Sequence, residues 1–282
     1  MTHCLFRPLA VILPCLITLL STTPARAGGT ADAAIGNVRL GVLDLTPADG
    51  LAAGFDLLAV TPSLYASLNA APAEYYAAGS PGPGIAATVA VGFGASGGTA
   101  ATSGALADVA AHATGAANLG EYGYAAASGN QEVRLTLHPY SVLTIAGHLS
   151  SQAARDADAS HYDAVGMTSI SIVDANGYTY TQHTRQSLSY ADWPAHMAIE
   201  EDFTLAYANG GAEAQAVTLY FQTWSNVTRI AAPVPEPSMA ALLVAGALCL
   251  AGWRSGWRSR APKRQRRPVA WAACPWRKRC PA

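Results

Sequence analysis

Between Gly28 and Pro233 the chain contains neither cysteine nor lysine. Without cysteine there is no disulfide staple, so this stretch must be held by an apolar core and backbone pairing, which about 200 residues can supply. Without lysine, five arginines face seventeen aspartates and glutamates over the same residues, a formal balance of −12. Such a body repels polyanions, which argues against nucleic acid as a partner. Charged residues are sparse, 12% of the 282, and aromatics make up only 8%. Six histidines are scattered through the body, His112, His138, His148, His161, His183 and His196. None stands in H-x-H or H-E-x-x-H spacing, so zinc has no local support and exposed histidines are the plain reading.

The two ends have the apolar and basic character that the body lacks. Arg7 precedes an apolar stretch from Leu9 to Leu20, and Ala25-Arg26-Ala27 follows a polar Ser21-Thr22-Thr23-Pro24. Charge, short apolar core and small-x-small site in that order describe a secretory signal peptide cleaved before Gly28, delivered to the Sec translocon. Its core is too short to anchor the chain in a bilayer. Cys15 follows Pro14 within that core rather than a run of small residues, so a lipid anchor is set aside. At the other end, Met239 to Gly252 is uncharged and flanked by Trp253 and Trp257. A transmembrane helix over about 239–253 is expected there, short of the usual span of about 20 residues. Beyond Gly252 come ten lysines and arginines and no acid. The positive-inside rule keeps that tail in the cytoplasm and sends the acidic body across the membrane.

Immediately before the apolar run stands Val234-Pro235-Glu236-Pro237-Ser238, and just after it Arg254, Arg258 and Arg260. This order resembles the PEP-CTERM sorting signal of Gram-negative bacteria that make exopolysaccharide. The resemblance covers roughly a tenth of the chain and implies processing near Pro-Glu-Pro by exosortase, a membrane-embedded cysteine protease. It further implies a protein held first at the inner membrane, then placed on the cell surface or in an exopolysaccharide matrix. The chain departs from the pattern by continuing from Ala261 to Ala282, where Cys274 and Cys280 are too few for a zinc site. The expected domains are therefore a signal peptide over 1–27, an exported β-rich domain over 28–233, the sorting signal over 234–260 and a basic cytoplasmic tail over 261–282.

Within the body, Val133, Leu135 and Leu137 alternate with polar residues, and Val142 to Ile145 resumes after Pro139-Tyr140-Ser141. Ile170 and Ile172 lead into Asn176-Gly177, a dipeptide suited to a tight hairpin, and Tyr178 and Tyr180 follow on the return strand. Phe203, Leu205 and Tyr207, then Asn209-Gly210-Gly211, then Val217, Leu219 and Phe221 repeat the pattern. The reading is a mainly β chain, an antiparallel β-sandwich of jelly-roll-like kind. Asn37 to Leu45, Phe55 to Val60 and Ile85 to Phe93 are further strand candidates. Pro62 to Ala78 reads as loop or short helix. Residues 94–130 read as an Ala/Gly-rich insertion, or as a helix near Ala105 to Ala113 covering an open face.

Several motifs invite a chemical reading. Gly92 to Gly97 spells G-x-G-x-x-G, and Gly94 to Gly98 spells G-x-S-x-G around Ser96. Each requires a following helix in an α/β fold, and the β pattern downstream favours a plain glycine-rich loop. Asp156, Asp158 and Asp163 offer closely spaced oxygens for calcium, but an EF-hand would need glycine at His161 and glutamate at Met167, and a solvated acidic turn is the simpler reading. Glu200-Glu201-Asp202 suits a charge-protected strand edge. Asn226-Val227-Thr228 matches a glycosylation sequon. Tyr220 and Trp224 share the strand face opposite Phe221, where aromatic rings either fill a core or stack on sugars. These readings converge on a non-enzymatic surface or matrix protein with no cofactor, no metal and no catalytic residue. A carbohydrate-binding module is the alternative, and an extracellular hydrolase using Ser96, or acids such as Asp163 and Glu201, is the second.

Overall fold

Apolar residues at every second position put one face of each strand into a core, and twelve such strands run through a computed structural model that describes residues 28–156, 161–191 and 193–230. The signal peptide, the sorting motif with its apolar run and arginines, the basic tail and Asp158 lie outside the described residues. Among those described, no helix is long and apolar enough to cross a membrane.

The strands are β1 (Gly28–Asp44), β2 (Phe55–Ala70), β3 (Ala73–Gly79), β4 (Ala87–Phe93), β5 (Ser96–Thr102) and β6 (Val109–Ala116), then β7 (Tyr124–Leu137), β8 (Ser141–Arg155), β9 (Tyr162–Asp174), β10 (Thr179–Ser189), β11 (His196–Asn209) and β12 (Gln215–Arg229). They form two six-stranded antiparallel sheets, ordered β11-β8-β1-β6-β5-β4 and β10-β9-β12-β7-β2-β3. The sheets lie face to face with matched strands, β8 over β9, β1 over β12 and β6 over β7 at the centre, so the fold is a β-sandwich. Of the sequence-derived hairpins, Asn176-Gly177 joins β9 to β10 within one sheet, with Gly177 at φ 81°. The Pro139-Tyr140 and Asn209-Gly210-Gly211 turns instead carry the chain from one sheet to the other. Asn209 fixes its crossing by donating its buried side-chain amide to the His138 and Glu213 carbonyls at 3.0 and 2.8 Å.

The core changes character along the strands. At one end Leu135, Leu137, Leu143, Ile145, Ile170, Ile172, Leu219 and Phe221 are fully buried. Each such side chain contributes about 2 kcal/mol by leaving water. At the other end many inward positions hold alanine, among them Ala31, Ala66, Ala111, Ala113, Ala125, Ala127, Ala153 and Ala164, with Leu64, Leu68, Leu119, Tyr162 and Val227 buried among them. Small side chains let the backbones of the two sheets approach. A methyl group on Gly166 of β9 would overlap the carbonyl oxygens of Asp32 and Gln152 in the facing sheet, the latter at 2.6 Å, and one on Gly98 would overlap that of Ala126. Buried hydroxyls bridge the narrow gap: Ser225 donates to the Ala111 carbonyl at 2.9 Å, and Ser151 and Ser187 meet at 2.8 Å.

Three expectations for the first half are corrected. Pro62 to Ala78 is neither loop nor helix but the second half of β2 and most of β3, with Leu64, Ala66 and Leu68 pointing inward. Pro62 is tolerated because β2 there pairs with β7 alone, β3 joining only from Leu64 onward. Ala105 to Ala113 is a turn followed by β6, with no helix, and residues 94–130 are not a loose insertion. They supply β5, β6, a single 3-10 turn at Ala117–Leu119 and the start of β7. Alanine suits a strand here because, where the sheets approach closely as at Gly98 and Gly166, a small side chain fills the space between them.

Candidate functional site

Gly94 (φ 61°) and Ala95 form the two-residue turn of the β4–β5 hairpin, with Phe93 paired to Ser96 and Gly92 to Gly97. The glycine motif thus opens onto a strand, and neither a dinucleotide loop nor a nucleophile elbow has the helix it needs. Ser96 is buried, donates to Asn118 Oδ1 and accepts from the Ala116 amide, both at 2.9 Å. Its hydroxyl is committed to holding the hairpin against the 3-10 turn.

The acids and histidines that looked scattered are paired in space. His112 lies 2.6 Å from Asp32 across the β1–β6 register, and its other nitrogen meets Thr114 at 2.8 Å. His148 lies 2.9 Å from Asp202 and 3.3 Å from Glu200. His183 and Arg185 share Glu201 at 2.6 and 2.9 Å. Hydrogen bonds to Asp32 and Asp202 raise His112 and His148 above the ordinary histidine range, while His183 foremost, then Arg185, hold Glu201 below the usual carboxylate range. Glu200, Glu201 and Asp202 all lie on β11, an edge strand, so this charge occupies the edge where an added strand would pair. Asp156 is exposed, whereas burial raises the Asp163 carboxyl. Among the described residues no group of three or more His, Cys, Asp or Glu is set to hold a metal ion. Asp163 and Glu201 lie on separate strands of opposite sheets, β9 and β11.

Tyr178 and Tyr180 do not line one face of the return strand. Tyr178 sits in the β9–β10 turn, and Tyr180 lies at a register irregularity, its ring edge-on to Tyr207 of the facing sheet at 4.9 Å. Tyr220 and Trp224 are half-buried and point away from the core, since Leu219, Phe221, Thr223 and Ser225 on the same strand point into it. Register brings in a residue that the sequence reading passed over: Ser128 pairs with Trp224 on one side and with Tyr65 of β2 on the other. Tyr65 therefore shares the outer face with Trp224, two strand spacings or about 10 Å away. Its signal was the alternation of Leu64, Ala66 and Leu68 around an exposed tyrosine, obscured by Pro62. The next row places Gln222 beside Asn130 and Ser63, and the row beyond places Tyr220 beside Glu132 and Thr61. The only charge in these rows is Glu132, which is bonded to Arg134. Asn226 of the sequon lies near the end of β12 at Arg229 and is half-buried, with its amide donated to Thr228 at 3.1 Å.

The class defined by this geometry is a two-sheet antiparallel β-sandwich with an aromatic and amide face on which the one carboxylate, Glu132, is paired with Arg134. No protein-family model, curated protein or solved structure matches the chain.

Proposed function

We propose that the chain is an exported cell-surface or matrix protein whose sandwich is displayed outside the cell and performs no catalysis. In this reading the Sec translocon exports it, the helix over about 239–253 holds it at the inner membrane, and exosortase cuts near Pro235-Glu236-Pro237. The product then joins the cell surface or the surrounding exopolysaccharide. The observation that carries the reading is the coincidence of the fold with the sequence signals. The described sandwich is built within residues 28–229, between the signal cleavage expected before Gly28 and the sorting motif that begins at Val234. Gly28 and Ile230 lie at the same, alanine-lined end of the sandwich: Gly28 accepts from Asp156 at 3.0 Å, and Ile230 donates to His161 at 2.8 Å. A tether following residue 230 therefore leaves the opposite end free. The body holds itself without cysteine, and its charge of −12 suits the outer side of the membrane. A jelly-roll-like classification is the finer form of the same proposal.

Intact mass after expression in hosts with and without exosortase tests the processing step. The expected result is a chain beginning at Gly28 and ending near residues 235–237 only where exosortase is present. A protein that keeps Arg254 onward in both hosts overturns it.

A further inference from the structure

The outer face of the β10-β9-β12-β7-β2-β3 sheet carries aromatic rings at a spacing that core packing does not require. Tyr65 is 44% exposed. Trp224 lies across from it in the same row, about 10 Å or two strand spacings away, with the small Ser128 between them. In the next row, Asn130 and Gln222 form a cross-strand amide pair. On a body with seventeen acids against five arginines, these rows hold one carboxylate, and that one is neutralised by Arg134.

We infer that this face binds a neutral polysaccharide strand running across the β-strands, with Tyr65 and Trp224 each stacking on a sugar ring. The axial C–H side of a pyranose is apolar and packs on an aromatic face, while its rim of hydroxyls both donates and accepts. A carboxamide also does both, which suits Asn130 and Gln222 to the hydroxyls of the rings seated beside them. Two stacking positions about 10 Å apart fit alternate sugars of an extended chain, with the intervening sugar over Ser128. An acidic polymer is disfavoured by the surrounding negative body, and no cation lies in these rows, Arg134 of the following row being paired with Glu132. The inference rests on the proposed display outside the cell only for its setting, because binding is read on purified protein.

The test is gel retardation of the full chain in a detergent without a sugar headgroup, against neutral polymers (hydroxyethyl cellulose, a mixed-linkage β-glucan, a galactomannan and dextran) and acidic ones (alginate and hyaluronate). The expected result is retardation by at least one neutral polymer, weakened about tenfold by Tyr65→Ala and abolished by Tyr65→Ala with Trp224→Ala. Tyr178→Ala, which alters an exposed ring off this face, leaves it unchanged. Tyr65 is exposed, so its variant keeps the parent melting temperature; should it not, Gln222→Ala supplies the reading, with a fewfold weakening expected. Retardation by no neutral polymer, by acidic polymers alone, or equally by parent and variants overturns the inference. None of these outcomes bears on where the chain is cleaved.

Discussion

The two ends of the sandwich solve the same packing problem in opposite ways. At the leucine end, filled by Leu135, Leu219 and Phe221, the sheets are held by the volume between them. At the alanine end, the sheets meet nearly backbone to backbone at Gly98 and Gly166, and buried serines bond across the gap. The first arrangement is sensitive to removal of atoms and the second to addition. That difference explains how twelve strands close although many inward positions hold only alanine.

Truncation at the leucine end gives the largest expected effect. Phe221→Ala should lower unfolding free energy by about 3–5 kcal/mol, because a fully buried ring leaves a cavity that two sheets cannot collapse into. Denaturant melts read it directly, and a loss under 1 kcal/mol would contradict the assigned core. At the alanine end the informative change is an added methyl. Gly166→Ala forces a side-chain carbon onto the Asp32 and Gln152 carbonyls and should cost about 1–3 kcal/mol, whereas an unstrained glycine-to-alanine exchange in a strand is neutral or stabilising. A stabilised Gly166→Ala would show that the sheets stand further apart than described here. Ser225→Ala, which leaves the buried Ala111 carbonyl short of one donor, should cost about 1 kcal/mol in the same melts.

The smallest effect is the pH dependence. His112 and His148 are raised in the fold, so the stability they add is fully present below the ordinary histidine range and is lost as pH rises through their raised values. Asp163, raised by burial, loses its contribution as pH rises above the ordinary carboxylate range, while Glu201, held low, loses its own as pH falls through its lowered value. Thermal melts should therefore show the parent less stable at pH 8 than at pH 5.5, with the difference reduced in the double variant His112→Gln, His148→Gln. An unchanged difference would mean that these pairs do not persist in solution.

The leucine end was legible in the sequence because large apolar residues alternate there with Glu132, Arg134 and Thr136, giving period two its contrast. The alanine end was not, because Ala110, Ala111 and Ala113 look alike whether they face solvent or core, and only pairing across the sheet separates them. Histidine partners were invisible for a related reason: Asp32 lies 80 residues from His112 along the chain yet beside it in register. The outer aromatic face was half legible. Tyr220 and Trp224 declared their side by opposing Phe221, but Tyr65 required the β2–β7 register, and Pro62 hid its strand. Conversely, the glycine motifs around Ser96 were locally complete and structurally empty, since a two-residue hairpin uses glycine for its positive φ and asks nothing of phosphate or ester.

The proposal that the sandwich is displayed outside the cell is tested most directly by protease shaving of intact cells that make the chain at native level, with the released peptides mapped by mass. The predicted result is peptides confined to residues 28–233, with none from 254–282 until the cells are broken. Release of the basic segment from intact cells, or protection of the whole chain until lysis, would contradict it.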